Sequence, residues 1–314
     1  MTTYIIQRIL LIIPVLFGVT LITFFAMRVI PGDMAKVQLG EYATEEALQA
    51  FRDEHQLDDP LPVQYVRWVA DLARLDMGDS FRRDQTVRDA IVRRLPVTFQ
   101  LTAYALVVSL VIAFPAGIIS AVKQDTVWDY AARIFAMAGL AIPVFVIASL
   151  MIMLPALWFG WVPPIRYTPF TQDPFTNMVH FILPAIALGA SLAGTTTRMV
   201  RSQLLEVLRQ DYIRTARAKG LAERPIVAGH ALRNAIIPVI TIVGLQLGVL
   251  IGGTIIVEQI FSLPGLGRLM IESVNLRDYP VVQGVVVFMC FVYVFVNLVI
   301  DITYGWIDPR IRYT

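Results

Sequence analysis

The chain has 314 residues, of which 57% are hydrophobic and only 16% are charged. An average soluble domain has about 25% charged and about 45–50% apolar residues, so this composition excludes an ordinary soluble enzyme and a disordered chain. The formal net charge of +2 supplies no basic field to hold nucleic acid, which excludes a nucleic-acid-binding protein.

Six stretches of the chain lack Asp, Glu, Lys and Arg and are long enough to cross a bilayer, which requires about 20 apolar residues in a helix. The first is predicted to be a retained span rather than a secretory signal. Its apolar part exceeds about 15 residues, and no small-x-small cleavage site precedes the turn at Pro31-Gly32. The chain is therefore predicted to be an all-α, polytopic membrane protein. Its six transmembrane helices are predicted at 9–30, 98–122, 134–159, 178–197, 236–257 and 281–303.

The polar segment 31–97 separates the first transmembrane helix, 1–30, from a five-helix core, 98–314. It is predicted to form helices joined by turns, because Thr44 is a candidate N-cap before an acidic first turn and Pro62 suits a helix start. Its apolar residues recur at helical spacing, which is typical of helices that bury one face. The segment is either a cap on the membrane surface or a docking platform for a soluble partner, and the two interpretations are compatible.

Several of the predicted spans contain proline, which removes a backbone donor and bends a helix. Proline is also common in membrane helices, so none of these residues by itself indicates a transport pathway. Examples are Pro115, Pro143, Pro184 and Pro238.

The fifth span carries Gly244, Gly248 and Gly252 at four-residue intervals, which makes two overlapping G-x-x-x-G patterns on one helical face. Such a face lets another backbone approach closely. The row therefore predicts helix packing, against a helix of this chain or of a second subunit.

Basic residues are concentrated in the loop between the fourth and fifth spans, about 198–235. Eight Lys and Arg residues lie in 194–235, whereas the stretches 160–178 and 260–280 hold one and two. Short cytoplasmic loops are enriched in Lys and Arg. This loop and both termini are therefore predicted to be cytoplasmic, and the segment 31–97 to lie outside.

The same loop contains a predicted amphipathic helix, whose apolar positions recur up to a natural stop at Gly220. A second short stretch is predicted after Pro225, with Pro238 at the start of the fifth span. The helix is either a basic surface helix in contact with anionic lipid or a rigid element that inserts into another protein, and composition alone favours the first. The residues at helical spacing are Leu205, Leu208, Tyr212, Thr215 and Ala216.

The sequence has none of the short motifs that would give the chain a chemistry of its own. No Gly-Lys dipeptide occurs, so the nucleotide-binding loop G-x-x-x-x-G-K-[ST] is absent, as are G-x-S-x-G and H-E-x-x-H. The single cysteine, Cys290, excludes internal disulfides, and His55, His180 and His230 show no metal-ligand spacing. The sequence therefore predicts a protein that is not an enzyme, with no catalytic residue, no metal site and no cofactor.

The basic loop resembles the cytoplasmic EAA loop of ABC importer permeases of the dipeptide, oligopeptide and nickel class. The match runs through Asp211–Leu221 (DYIRTARAKGL) and His230–Ala235 (HALRNA) to Pro238. Two features depart from the general pattern: Arg214-Thr215-Ala216 stands in place of Glu-Ala-Ala, and the proline comes eighteen residues after the glycine. Further matches, which extend the resemblance over essentially the whole chain, are Pro264–Arg268, Asp278–Gly284, Asp308–Arg312, Gln7-Arg8, Pro31–Asp33 and Leu57–Leu61.

The resemblance implies a type I ABC importer permease fold and a place in the bacterial inner membrane. It implies as partners a second homologous permease, two ABC ATPase subunits that hydrolyse ATP, an extracytoplasmic solute-binding protein and the lipid bilayer. The chain would form half of a pathway for short peptides, and a coupling helix at about 206–220 would sit in a groove of the ATPase. The coupling residues would be Asp211, Tyr212, Arg214, Thr215, Ala216, Arg217, Lys219 and Gly220.

Other functions stay open at the level of the sequence. The same class of importer could carry a nickel complex, glutathione or another small solute. An ion-coupled carrier or channel is a further alternative, although Glu258 and Asp301 lie at span ends rather than at the middle of the bilayer, where such carriers bind ions. A membrane scaffold that recruits soluble enzymes through the basic loop is the third.

Overall fold

The computed structural model describes residues 2–29, 33–40, 42–164 and 166–307. The sequence motifs at Pro31-Gly32 and Asp308–Arg312 lie outside these residues. Within them the chain is helical and has no strand beyond one isolated bridge, which confirms the predicted all-α class. In chain order the helices are α1 (Thr2–Val29), α2 (Met34–Leu39), α3 (Glu45–Glu54), α4 (Leu61–Ala73), α5 (Val87–Val122), α6 (Val127–Ala141), α7 (Val144–Phe159), α8 (Pro174–Leu208), α9 (Asp211–Ala218), α10 (Glu223–Pro225), a π-helical turn (Ile226–Ala231), α11 (Leu232–Ile260), α12 (Leu266–Asn275) and α13 (Tyr279–Ile307).

Among the described residues, five helical segments are long and apolar enough to cross a membrane, and a sixth span is present if the bent pair α6–α7 crosses as one. The five overlap the first, second, fourth, fifth and sixth predicted spans, so the prediction of a polytopic membrane protein is confirmed. They are Leu10–Val29, Val87–Val122, Pro174–Leu208, Glu223–Leu250 and Tyr279–Thr303.

The third predicted span, 134–159, is not one helix. The chain forms α6 and α7, whose axes meet at 100°. The break falls at Ile142, which has an extended ψ of 120°, and Pro143, which precedes the first residue of α7. Proline disfavours the helical conformation of the residue before it and has no N–H to donate, so this sequence ends one helix and begins another.

The helices on either side of the basic loop extend beyond the predicted spans. Helix α8 continues to Leu208, so residues 198–208 of the loop between the spans are helical. Charged side chains stop the apolar run there but are ordinary helix formers, which is why the helix outlasts the apolar pattern. Pro238 lies inside α11 and does not begin it, since the π-helical turn leads directly into Leu232.

The chain divides into two compact units, of which one comprises Thr2–Val97 and Pro264–Val294. In this unit the predicted N-cap at Thr44 is confirmed, because its hydroxyl accepts a hydrogen bond from the Ala47 amide at 3.3 Å. The buried Asp278 carboxylate accepts hydrogen bonds from the Ser80 hydroxyl and, at 3.1 Å, from the Phe81 amide. The polar segment therefore packs on the stretch that precedes α13.

The other unit comprises Thr98–Leu263 and, of the described residues after it, Phe295–Ile307. Its best buried helix is α8, which packs against α5, α6 and α11. Small residues permit this packing. A Cβ atom on Gly189 would lie 2.7 Å from the carbonyl oxygen of Ala105 in α5, and one on Gly194 would lie 2.5 Å from the carbonyl oxygen of Ala136 in α6. The helix that leads into the basic loop is thus held on several sides.

Candidate coupling site

The predicted coupling helix at 206–220 is divided between two helices. The first, α8, ends at Leu208, and the second, α9, begins at Asp211. Between them Gln210 has an extended ψ of 151°, so the chain leaves the helical path for one residue. The helical spacing across residues 208–212 is therefore coincidental. Asp211 in the first turn of α9 favours a helix start, because a carboxylate stabilises the positive end of the helix dipole.

Helix α9 is anchored by Ile213, a residue absent from the predicted set. Its side chain is fully buried in a cluster that includes Leu204 of α8, Ile226 of the π-helical turn and Ala121 of α5. Burial of one such side chain contributes about 1.5–3 kcal/mol. Ile213 is the most apolar residue of α9 and lies three positions before the half-buried Ala216, a spacing that could have revealed it.

The predicted apolar stripe is confirmed only in part. Leu205, Leu208 and Ala216 pack against the cluster around Ile213. Tyr212 and Thr215 do not, because both side chains are exposed. Of the eight predicted coupling residues, only Ala216 is half-buried. The other seven form the exposed surface of α9 and its C-terminal turn: Asp211, Tyr212, Arg214, Thr215, Arg217, Lys219 and Gly220.

The end of α9 is a Schellman motif built around Gly220. The Gly220 amide donates to the carbonyl of Arg217 at 2.9 Å, and the Leu221 amide donates to the carbonyl of Ala216 at 3.3 Å. Gly220 has a φ of +82°, in the left-handed region that glycine adopts without penalty. The helix stop predicted at this glycine is therefore confirmed, and it directs the chain sharply back toward α10.

Two side-chain contacts close the loop on itself. The Arg217 guanidinium donates to both carboxylate oxygens of Glu223 in α10, at 2.7 and 3.3 Å, across the turn at Gly220. This hydrogen bond raises the pKa of Arg217. The Asn234 side chain in α11 donates to the Tyr212 hydroxyl at 2.8 Å. A shallow cleft of about 260 Å³ lies beside Arg217 and Glu223 and leaves room for a side chain of another molecule.

The glycine row of α11 is used unevenly. A Cβ atom on Gly244 would lie 2.8 Å from Cγ1 of Ile300, so the row packs on α13 at this position. Gly248 is buried, whereas Gly252 is exposed and a Cβ atom there would meet nothing within 4 Å. One end of the row therefore packs within the chain, and the other end has an open surface.

Comparison with known families decides the class of the protein. Residues 113–313 match the sequence model described as binding-protein-dependent transport system inner membrane component, and residues 1–102 match the model of the N-terminal part of such components. The chain belongs to this family. It is therefore a multi-pass membrane component of a transport system, which the resemblance of the basic loop predicted.

Relatives match the chain along its full length. The dipeptide transport system permease protein DppB of Alkalihalophilus pseudofirmus is 40% identical over 335 residues, covering 100% of both chains. The glutathione transport system permease protein GsiC of Escherichia coli strain K12 is 37% identical over 313 residues, again covering 100% of both. Among solved structures, a chain of the inward-facing MetNI methionine ABC transporter gives a TM-score of 0.54 at 18% identity, covering 69% of this chain and 96% of that one. This likeness concerns the fold, which is that of an ABC importer permease.

Proposed function

We propose that the chain is one of two permease subunits in an ATP-driven importer of short peptides, located in a bacterial inner membrane. A solute-binding protein delivers the peptide, two ABC ATPase subunits hydrolyse ATP, and this chain forms half of the pathway. The observation that carries the proposal is α9. It is a helix of eight residues that is exposed on one side and fixed on the other by the buried Ile213.

Helix α9 has the properties that a mechanical contact with an ATPase requires. Its exposed surface offers charged groups and the phenol of Tyr212 for binding in a groove, while its buried side joins it to α5, α8 and the π-helical turn. A force applied to α9 would therefore reach two transmembrane helices, α5 and α8, and the turn that leads into a third, α11. Closure of the ATPase dimer would press on α9 and switch the pathway between inward-facing and outward-facing access.

The orientation of the chain follows from its basic residues. Seven of the eight Lys and Arg residues of 194–235 lie within residues 198–224, around the end of α8 and α9. On the positive-inside rule we propose that this loop and both chain termini lie in the cytoplasm, and the segment 31–97 outside. Such an arrangement puts α9 on the side where ATP is available.

The names of the relatives support short peptides as the substrate. One relative is named for dipeptide transport and the other for glutathione transport, and glutathione is itself a tripeptide. Glutathione is therefore the specific second candidate, and both candidates share a peptide backbone with a free carboxylate.

Purification and reconstitution of the tagged chain test this proposal. We expect an ATPase and a second six-span protein to copurify, and proteoliposomes of the whole complex to take up radiolabelled dipeptide or glutathione only with ATP and the binding protein. Proteoliposomes that contain the chain alone are the control, and they should take up neither compound. Accumulation of solute by the chain alone would refute the proposal and favour an ion-coupled carrier.

A further inference from the structure

A buried carboxylate joins α5, α6 and α8 next to the apolar cluster that anchors α9. The side chain of Asp129, in the first turn of α6, is 0% exposed. Both of its oxygens are fully used. Oδ1 accepts from Arg201 Nε at 2.9 Å and from the Ser120 hydroxyl at 2.5 Å, and Oδ2 accepts from Arg201 Nη2 at 2.9 Å and from the Asp125 amide at 3.1 Å. We call this set of residues the Asp129 clamp.

The Asp129 clamp lies on the same helical turns that hold α9. Ser120 in α5 is adjacent to Ala121, and Arg201 in α8 lies three residues before Leu204. Both Ala121 and Leu204 belong to the cluster that buries Ile213. A displacement of α9 therefore acts first on the turns of α5 and α8 that carry the clamp.

Helix α8 packs closely on both α5 and α6 where the helices cross. A Cβ atom on Gly139 of α6 would lie 2.8 Å from the carbonyl oxygen of Ala190 in α8. A Cβ atom on Gly117 of α5 would lie 2.7 Å from the side chain of Val200, next to Arg201. Backbones this close interlock and transmit displacement. The clamp joins α6 to α8 at a second point along the two helices, apart from the contact at Gly139.

Stability alone does not account for the Asp129 clamp. A buried ion pair gains little net stability, since desolvation of the charges offsets their attraction, and an apolar pair of similar volume is often as stable. What the bidentate pair supplies is geometry, because two parallel hydrogen bonds fix both the distance and the relative orientation of the guanidinium and the carboxylate. A fixed distance and orientation are needed where two helices must move together.

We infer that Asp129 and Arg201 are positioning residues that lock α6 to α8, so that α9 drives α5, α6 and α8 as one rigid body during transport. The inference rests on the proposed importer function. It assigns to a pair of residues 72 positions apart the transfer of motion from the coupling loop into the membrane.

Spin-label distances in the intact complex test the inference. The labels replace Arg209, in the exposed turn before α9, and the exposed Met137 of α6, in a Cys290→Ser background. The distance between them is measured without nucleotide and after trapping with ATP and vanadate. For a rigid body the two distance distributions coincide. In Asp129→Asn, vanadate trapping should shift or broaden the distribution by about 1–5 Å, the size of helix displacements in switching transitions.

Two further variants separate positioning from folding. Arg201→Lys keeps the charge but loses the second hydrogen bond, so it should show an intermediate shift. Arg198→Gln removes an exposed arginine one turn earlier on α8 and should behave as the unsubstituted chain. Size-exclusion chromatography and basal ATP hydrolysis should be unchanged in all three variants.

The inference is overturned if the distance in Asp129→Asn does not change on trapping, or if it already changes in the unsubstituted complex. Loss of complex assembly in both Asp129→Asn and Arg201→Lys would also overturn it, since the pair would then serve folding. Failure of the proposed function is distinguishable, because no ATPase would copurify with the unsubstituted chain.

Discussion

The turn at Gly220 gives the sharpest prediction, since its geometry separates a local backbone effect from steric disruption. Substitution Gly220→Val places a β-branched residue at a φ of +82°. A Cβ atom there would meet nothing within 4 Å, so the cost is conformational and not a clash. An L-residue in the left-handed region costs about 1–2 kcal/mol.

The strain at residue 220 can be relieved only by breaking the hydrogen bonds of the Schellman motif. If the introduced valine rotated out of the left-handed region, the hydrogen bonds from the amides of residues 220 and 221 would break, each worth about 0.5–1.5 kcal/mol net. A penalty of about 1–2 kcal/mol changes the population of the native turn by a factor of about 5–30. That is enough to misdirect α9 in most molecules while leaving the transmembrane helices folded.

The assay is ATP-dependent uptake of radiolabelled dipeptide by the reconstituted complex, normalised to the amount of chain in the membrane. We expect Gly220→Val to lose most uptake with normal insertion, and Gly220→Asn to retain more, because asparagine tolerates the left-handed region. Gly160 provides a matched control: it ends α7 at a φ of +62° with nothing near its Cβ position. Gly160→Val imposes the same backbone penalty away from the coupling loop, so uptake should persist. Normal uptake by Gly220→Val, or equal loss in Gly160→Val, would refute the reasoning.

Three further predictions address the anchor, the helix packing and the polar segment. Ile213→Ala should destabilise the coupling loop by about 2–5 kcal/mol and reduce peptide-coupled ATP hydrolysis, measured on the purified complex. Gly194→Leu should prevent α6 from packing on α8, because a Cβ atom would lie 2.5 Å from a backbone carbonyl oxygen, and should lower the yield of folded protein after detergent extraction. Arg52 donates a hydrogen bond that holds the pKa of Asp33 below its ordinary value, so the pair stabilises the fold at neutral pH. The stabilisation by this pair should be lost as the pH falls from the ordinary carboxyl pKa through the lower pKa that Asp33 has in the folded chain. Asp33→Asn should remove the corresponding fall in the thermal unfolding temperature at acid pH.

Each of these predictions has a control within the chain. Leu221→Ala truncates an exposed side chain next to the loop and should leave ATP hydrolysis unchanged, unlike Ile213→Ala. Gly18→Leu adds the same side chain where nothing lies within 4 Å, so its yield should exceed that of Gly194→Leu. For the acid-sensitive pair, Arg52→Gln should match Asp33→Asn. If thermal unfolding at acid pH were unchanged in both variants, the Arg52–Asp33 pair would not be a source of the acid sensitivity.

The fold was largely predictable because apolar runs and basic loops follow from the bilayer itself. Stretches free of charge located five helices and the apolar run of the bent pair. They failed at the ends, where α8 carries Arg198 and Arg201 beyond the apolar run, since helix formation does not require apolar residues. The bend at Pro143 was not predicted, although the proline was visible. The presence of proline does not distinguish a kink within one helix from a break between two, because proline can cause either.

The position of the candidate site was predictable from the sequence, but the buried contacts that hold it in place were not. The resemblance located α9, and Gly220 marked its end. Ile213 was overlooked because its spacing to the small Ala216 is one apolar repeat within α9, which is a weak periodic signal. The pairing of Asp129 with Arg201 could not be predicted, because 72 residues separate them and neither lies in a recognisable pattern. Contacts of this kind are determined by how the helices cross.

The corner between α6 and α7 restricts what can surround this protein. Pro143 has no N–H to give the carbonyl of Gly139, and the extended Ile142 interrupts the regular ladder of peptide hydrogen bonds. Lipid tails offer no donors, and each bare peptide group in hydrocarbon costs several kcal/mol. Where this corner lies at membrane depth, its unpaired peptide groups need hydrogen-bonding neighbours, which can be water or polypeptide. A single copy surrounded by lipid alone would leave these groups unpaired. A second chain or a water-filled cavity would supply the missing hydrogen bonds.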